Sequence, residues 1–238
     1  MQQRQTFSGP LLSPFAVFVL QAVFFAPAVA LATTFVLPTV AWVLFALAVL
    51  NFAVGQSLAN GDYPHAVFGL HNTVTLARAN LVCLLFGSLF AGDVVSPWLV
   101  FGVGSLALAL DGVDGWLARR AGLQSEFGAR FDVETDSALA AILAIWLLVS
   151  GTTGWEILLL GFTRYAFVLA GWVVPRLRAE LPPAFRRKAI CVVQIGALIV
   201  LTLPFLPNSL VLTFSITASL ALVYSFAVDL RWLLSRKT

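Results

Sequence analysis

Four aspartates stand at helical spacing within one short stretch: Asp111 and Asp114, three residues apart, and Asp132 and Asp136, four apart. Spacings of three and four put side chains on one face of a helix. Each pair therefore makes a local patch of negative charge. The two segments are consecutive, so the patches can face each other across a short connection. Carboxylates crowded in this way repel unless cations neutralise them. An all-oxygen donor set suits Mg²⁺, Mn²⁺ or Ca²⁺. No His or Cys lies between Asp111 and Asp136 to suggest zinc.

Small residues accompany the acids. Gly115 and Ala118 share a face with Asp111 and Asp114, and Gly128 lies one turn before Asp132 if that helix begins early. Such residues let a ligand approach the backbone closely. Arg119, at the rim, is placed to pair with a phosphate. A single acid near a helix end is ordinarily a solvated cap. Two register-matched pairs flanked by small residues are not. Glu134 sits two residues from both Asp132 and Asp136 and so points to the other face, while Glu126 falls in the connection. Both are expected to be solvated.

The elements that carry these residues belong to a membrane. The chain is 60% hydrophobic and 11% charged, with mean hydropathy +0.95. A soluble domain carries about 25% charged residues. Roughly 20 apolar residues cross the hydrocarbon as a helix. Eight such runs are present, at roughly 13–32, 35–55, 74–92, 96–117, 133–150, 155–175, 188–206 and 209–230. Strands are excluded by the length and uniformity of the runs. The expectation is an all-α polytopic bundle. Cys83 and Cys191 both fall inside apolar runs and form no disulfide framework. The small residues Ala28–Ala32 could mimic a signal-peptide cleavage site, but the run is long for one, so an uncleaved helix is expected. The polar segment 56–73 is expected to lie along the inner surface.

Orientation follows from the bases. With the amino terminus inside, the outer turns hold no Lys or Arg. The inner connections and tails hold Arg4, Arg119, Arg120, Arg130, Arg176, Arg178, Arg186, Arg187, Lys188, Arg231, Arg236 and Lys237. This is the positive-inside pattern, and it places the aspartates at the cytoplasmic face of an inner membrane. It also accounts for the net charge of +3 without nucleic acid as a partner. Two bases are exceptions: Arg78, near the inner end of its helix, and Arg164, deeper in its span.

Read as a pattern, the stretch is Asp111, two residues, Asp114-Gly115, two residues, Ala118-Arg119, eight residues, Gly128, three residues, Asp132, three residues, Asp136. This resembles the signature of the CDP-alcohol phosphotransferase family at each fixed position. The segment His71–Arg78 resembles the opening of that family's first core helix. The resemblance covers 72–238, a six-helix catalytic core. It leaves 1–71, with two further helices, outside. It implies an enzyme that moves a substituted phosphate from a CDP-linked lipid, typically CDP-diacylglycerol, to an alcohol acceptor, releasing CMP in phospholipid synthesis. It also implies two divalent ions, Mg²⁺ or Mn²⁺, held by Asp111, Asp114, Asp132 and Asp136, with Asp136 as general base. Asn72, Thr75, Asp111, Gly115, Ala118, Arg119 and Gly128 would line the CDP site. Homodimers are common in the family, which is the basis for expecting one here.

The residues support this chemistry independently. A carboxylate within reach of a hydroxyl can take its proton during attack, and no Ser-His or Cys-His arrangement suggests a covalent intermediate. Arg164, a base inside a membrane helix, is a functional candidate by cost alone. With Arg78, Arg176, Arg178, Arg186, Arg187 and Lys188 it could form a pocket for a phosphorylated acceptor such as glycerol 3-phosphate or inositol phosphate; neutral inositol, serine and choline stay open as acceptors. His65 and His71 are expected to be interfacial polar residues. The competing reading, a cation transporter, places its site at the bilayer midplane. The acids here lie near one face.

Overall fold

The computed structural model describes residues 12–178 and 185–235. They form eight α-helices: α1 Pro14–Val36, α2 Val40–Ala59, α3 Leu70–Ser88, α4 Pro97–Ala121, α5 Glu126–Val149, α6 Ile157–Val173, α7 Phe185–Leu201 and α8 Asn208–Ser235. No strand occurs among the described residues. The protein is an all-α polytopic bundle, and each expected span coincides with one helix. By length and apolar composition alone, α1, α2, α4 and most of α8 can cross a membrane. The polar side chains of α3 and α5 dilute that signal in the helices that build the site. Arg4, Arg236 and Lys237, used for orientation, lie outside the described residues.

Local chemistry sets the helix ends near the acids. Gly122 closes α4 in the left-handed conformation, with φ of 64°, where glycine meets no Cβ penalty. Three residues later Ser125 caps α5, its Oγ accepting from the Gly128 amide at 3.0 Å. Helix α5 therefore begins at Glu126 and not near 133. An apolar window misses its first two turns because they carry the charges. Gly128 is thus helical and lies one turn before Asp132. At the other end of α6, Val174 is extended ahead of Pro175, which stops that helix.

Helix α3 is the central element. It packs against α4, α5, α1 and α2. The core around it joins Leu84 and Leu85 of α3 to Leu139, Leu143 and Leu147 of α5, and to Leu198 of α7. The two amino-terminal helices dock on α3 through named contacts. Gln21 Nε2 donates to Thr73 Oγ1 at 2.8 Å, and Thr39 Oγ1 donates to the Gly87 carbonyl at 2.8 Å. The segment expected along the inner surface divides. Helix α2 runs to Ala59, and residues 60–69 form a loop tied back to the bundle. The Tyr63 hydroxyl donates to the Val67 carbonyl at 2.9 Å and accepts from the Gly69 amide at 3.3 Å. The loop reaches the α4–α5 connection, where His65 Nε2 lies 3.0 Å from the Gln124 carbonyl.

Helices α5 and α6 approach closely at Gly161. A Cβ there would lie 2.5 Å from Ala144 Cβ and 3.2 Å from the Ala140 carbonyl. Neither atom can swing away. Gly161→Val is expected to destabilise the detergent-solubilised protein by about 1–3 kcal/mol through overpacking. Gly102→Ala, which would meet open space and gains helix propensity, should not lower the unfolding midpoint. Thermal unfolding of the pair checks this.

Candidate active site

The helical faces read from the spacing meet at one point. Asp111 and Asp114 are buried on α4, and Asp132 and Asp136 face them from α5. One carboxylate oxygen from each of Asp111, Asp114 and Asp132 lies within 4.8 Å of the others. Asp136 is not one of that trio, but it meets the same arginine.

Between them sits Arg78, with no exposed surface. Its Nη1 lies 2.7 Å from Asp114 Oδ2, 2.6 Å from Asp132 Oδ1 and 3.4 Å from Asp111 Oδ1. Its Nη2 donates to Asp136 Oδ1. One turn earlier on α3, Thr75 Oγ1 lies 3.0 Å from Asp114 Oδ2 and can donate to it. Arg78, expected in an acceptor pocket, is therefore buried within the carboxylate cluster, and all its charge partners there are site aspartates. The reason is register. Arg78 lies three residues after Thr75 on the face of α3 that meets α4 and α5.

The donor set fits a hard divalent cation. Four carboxylates face one guanidinium, which leaves three negative charges uncompensated by it in a largely buried site. All donors are oxygens at a spacing that one small cation can span.

The small residues also find their place. The position a Cβ would take on Gly115 lies 3.4 Å from Arg119 Nη1 and 3.7 Å from Lys188 Nζ. Two cationic heads thus converge over bare backbone beside Asp111 and Asp114, which is the charge pattern a phosphate requires. Ala118 is half-buried one turn on. The corresponding position on Gly128 lies 3.2 Å from Asn72 Oδ1, on a fully buried Asn72.

A cavity of about 500 Å³ opens beside the acids. Asp111, Asp132 and Asp136 line it, and so do Arg164, Arg187, Lys188 and Asp229. Arg164 is also ion-paired with Glu134. Glu134 is exposed, as expected, and it also pairs with this base. Glu126 is exposed, as its position in the sequence suggests. Arg186 does not join the cavity wall. Its Nη1 donates to the carbonyl and Oγ of Ser225, both at 2.6 Å, and its Nη2 pairs with Asp229. It ties α7 to α8. Arg187 Nη1 reaches the same carboxylate at 3.4 Å. Arg176 is exposed on the turn after α6.

Three residues of the site escape a reading by spacing. Asp229 is a lone acid on α8, and its signal is only that it lies near the inner end, opposite a basic cluster. Cys191 looks like an apolar residue, yet its Sγ lies 3.8 Å from Asp136 Oδ2. His71, expected at the interface, is 5% exposed. Its signal was present as the His71–Thr75–Arg78 stripe on α3.

With this geometry in view, the relationship to known proteins is specific. The family model for CDP-alcohol phosphatidyltransferase matches residues 68–227. That span contains the whole aspartate stretch and covers more than half of the chain. The chain belongs to the CDP-alcohol phosphatidyltransferase family. It is also 30% identical over 144 residues to proteins named "Probable phosphatidylglycerophosphate synthase" from two strains of Mycobacterium tuberculosis, CDC 1551 and H37Rv. The alignment covers 58% of this chain and 68% of each relative. No solved structure matches the chain. As a member of this family the protein is an integral membrane phosphotransferase that acts in phosphatidyl transfer. Helices α1 and α2 lie outside the matched span.

The buried charges give a direct test of how the site is held together. Removing one partner from a buried ion cluster costs about 3–5 kcal/mol. Arg78→Gln should therefore destabilise strongly when divalent ions are chelated. Adding Asp114→Asn to it should recover part of that loss, because one repelling carboxylate is gone. A double-mutant cycle in thermal unfolding reads the coupling.

Proposed function

We propose that this protein transfers the phosphatidyl group of CDP-diacylglycerol to glycerol 3-phosphate and releases CMP. The observation that carries the acceptor is the cavity. Its lining combines the carboxylates with three bases, Arg164, Arg187 and Lys188. A phosphorylated alcohol supplies the anion such a wall requires. The name of the Mycobacterium tuberculosis relatives points the same way, since phosphatidylglycerophosphate carries a phosphatidyl group on a glycerol phosphate. Residues 72–238 would form the catalytic unit and 1–71 an addition to it.

In this reading the donor diphosphate lies over Gly115 and Ala118, where Arg119 and Lys188 converge. Asn72, Thr75 and Gly128 line the nucleoside side. Mg²⁺ or Mn²⁺ held by Asp111, Asp114, Asp132 and Asp136 would, when bound, neutralise the diphosphate. The acceptor hydroxyl approaches from the cavity. Asp136, which lines that cavity, takes the hydroxyl proton. The acceptor oxygen forms a bond to the phosphatidyl phosphorus. The bond from that phosphorus to the oxygen bridging to CMP breaks, and CMP leaves with the electron pair. Arg164, held by Glu134, and Arg187, shared with Asp229, orient the acceptor phosphate. The bases at the same helix ends as the aspartates support a site on the cytoplasmic face of the inner membrane.

Purified protein with Mg²⁺ or Mn²⁺, CDP-diacylglycerol and glycerol 3-phosphate should release CMP, and chelation should abolish the release. Loss of a general base costs about 10²–10⁴-fold, so Asp136→Asn should fall within that range. A panel including inositol phosphate, inositol and serine should give lower kcat/KM. No CMP above the Asp136→Asn level with any acceptor would refute the enzymatic reading. A second measurement addresses the basic wall. Arg164→Ala and Arg187→Ala should raise the KM for glycerol 3-phosphate well beyond that for the donor, and equal effects on both would remove the assignment.

A further inference from the structure

Beside the aspartates lies a second polar constellation that ion pairing does not explain. His71 is 5% exposed and Asn72 is fully buried. Both ring nitrogens of His71 and both amide atoms of Asn72 have no hydrogen-bond partner among the described residues. Buried polar atoms are almost always satisfied, and leaving one unmet costs about 1–3 kcal/mol. Four unmet atoms on adjacent residues indicate that something else supplies the bonds.

The backbone is shaped to expose them. The position a Cβ would take on Gly128 lies 3.2 Å from Asn72 Oδ1 and 3.7 Å from His71 Nε2. Both side chains therefore turn to the same bare patch of α5. The position for a Cβ on Gly69 would lie 2.5 Å from His71 Cε1 and 2.6 Å from Nδ1. Only glycine at the cap of α3 allows the ring to fold back over it. Thr75 then links this patch to Asp114. From Arg78 to His71, α3 rises roughly 10 Å at 1.5 Å per residue. That distance separates a diphosphate at the acids from a group one sugar further along the same ligand.

The atoms also restrict what that group can be. Asn72 offers donors and acceptors, and a neutral imidazole offers one of each. A phosphate only accepts and would leave Asn72 Oδ1 unmet. A cation would leave Asn72 Nδ2 unmet. A heterocycle edge with an amino group, a ring nitrogen and a carbonyl meets both kinds.

We propose that His71 is a specificity-determining residue of this protein, hydrogen-bonding the cytosine of the donor together with Asn72 over Gly128. The inference rests on the CDP-linked donor proposed above. It assigns to His71 the selection of a base-bearing ligand over its ribose phosphate.

The test uses the full chain in lipid nanodiscs with Mg²⁺, titrated with CMP and with ribose 5-phosphate. Wild type should prefer CMP. His71→Phe keeps a ring and loses the polar atoms, and it should reduce that preference about tenfold, the scale of one hydrogen bond. His71→Gln should retain most of it. The KM for glycerol 3-phosphate should not change. The chain holds only two histidines, so ring ¹⁵N signals of the wild-type protein give a second readout that needs no folded His71 variant. The His71 signals, assigned with His65→Gln, should move on addition of CMP and stay in place with ribose 5-phosphate. A wild type that binds CMP while His71→Phe keeps the same preference, or while the His71 signals stay still, overturns the role of His71 alone. Equal weakening of both ligands overturns it too. A wild type that binds no CMP overturns the CDP-linked donor and this inference together.

Discussion

Everything in this fold is arranged around one guanidinium held among four carboxylates. Arg78 is fully buried and touches acids from two different helices. Separately, either partner would be expensive so deep in a membrane protein. Together they still leave an excess of negative charge, which suits a site that must receive cations and a charged diphosphate. The same excess explains why bases gather at the rim. Arg119, Arg187 and Lys188 stand around the acids without entering the cluster.

That arrangement needs a rigid spine, and α3 provides it. One stripe of the helix carries His71, Thr75 and Arg78, so three contacts with the site share one register. The Ser125 cap fixes the start of α5 and so sets Gly128 opposite Asn72. The close approach at Gly161 fixes α6 against α5, which keeps Arg164 near Glu134. Asp229 restrains Arg186 and Arg187 from α8. Of three consecutive bases, one becomes a strut between helices, one is shared, and Lys188 extends over Gly115.

Much of this was legible in the sequence, for a physical reason. The helical period converts spacing into a shared face, so the two aspartate pairs could be placed without coordinates. The eight spans followed from apolar length. Side chains whose partners come from distant elements were less accessible. The pairing of Glu134 with Arg164 leaves no local pattern because the two lie on different helices. Asp229 had no local pattern at all. Arg78 was read as an acceptor ligand because a base in a membrane helix signals function but not which anion it meets. The start of α5 was missed by an apolar window because its first two turns are polar, although Ser125 and Gly122 mark the boundary chemically.

The docking of α1 and α2 on α3 bears on how the protein is made. Helix α3 carries His71, Asn72, Arg78 and Asn80, all buried, and it is not among the helices apolar enough to cross a membrane alone. An arginine at a helix centre costs about 2.5–3.5 kcal/mol on insertion scales. For such a helix, neighbouring protein must take the place of lipid. Helices α1 and α2 are synthesised first and are strongly apolar. Gln21 on α1 and Thr39 at the cap of α2 present polar partners to α3. The two additional helices thus precede in chain order, and so in synthesis, the span whose polar side chains they meet.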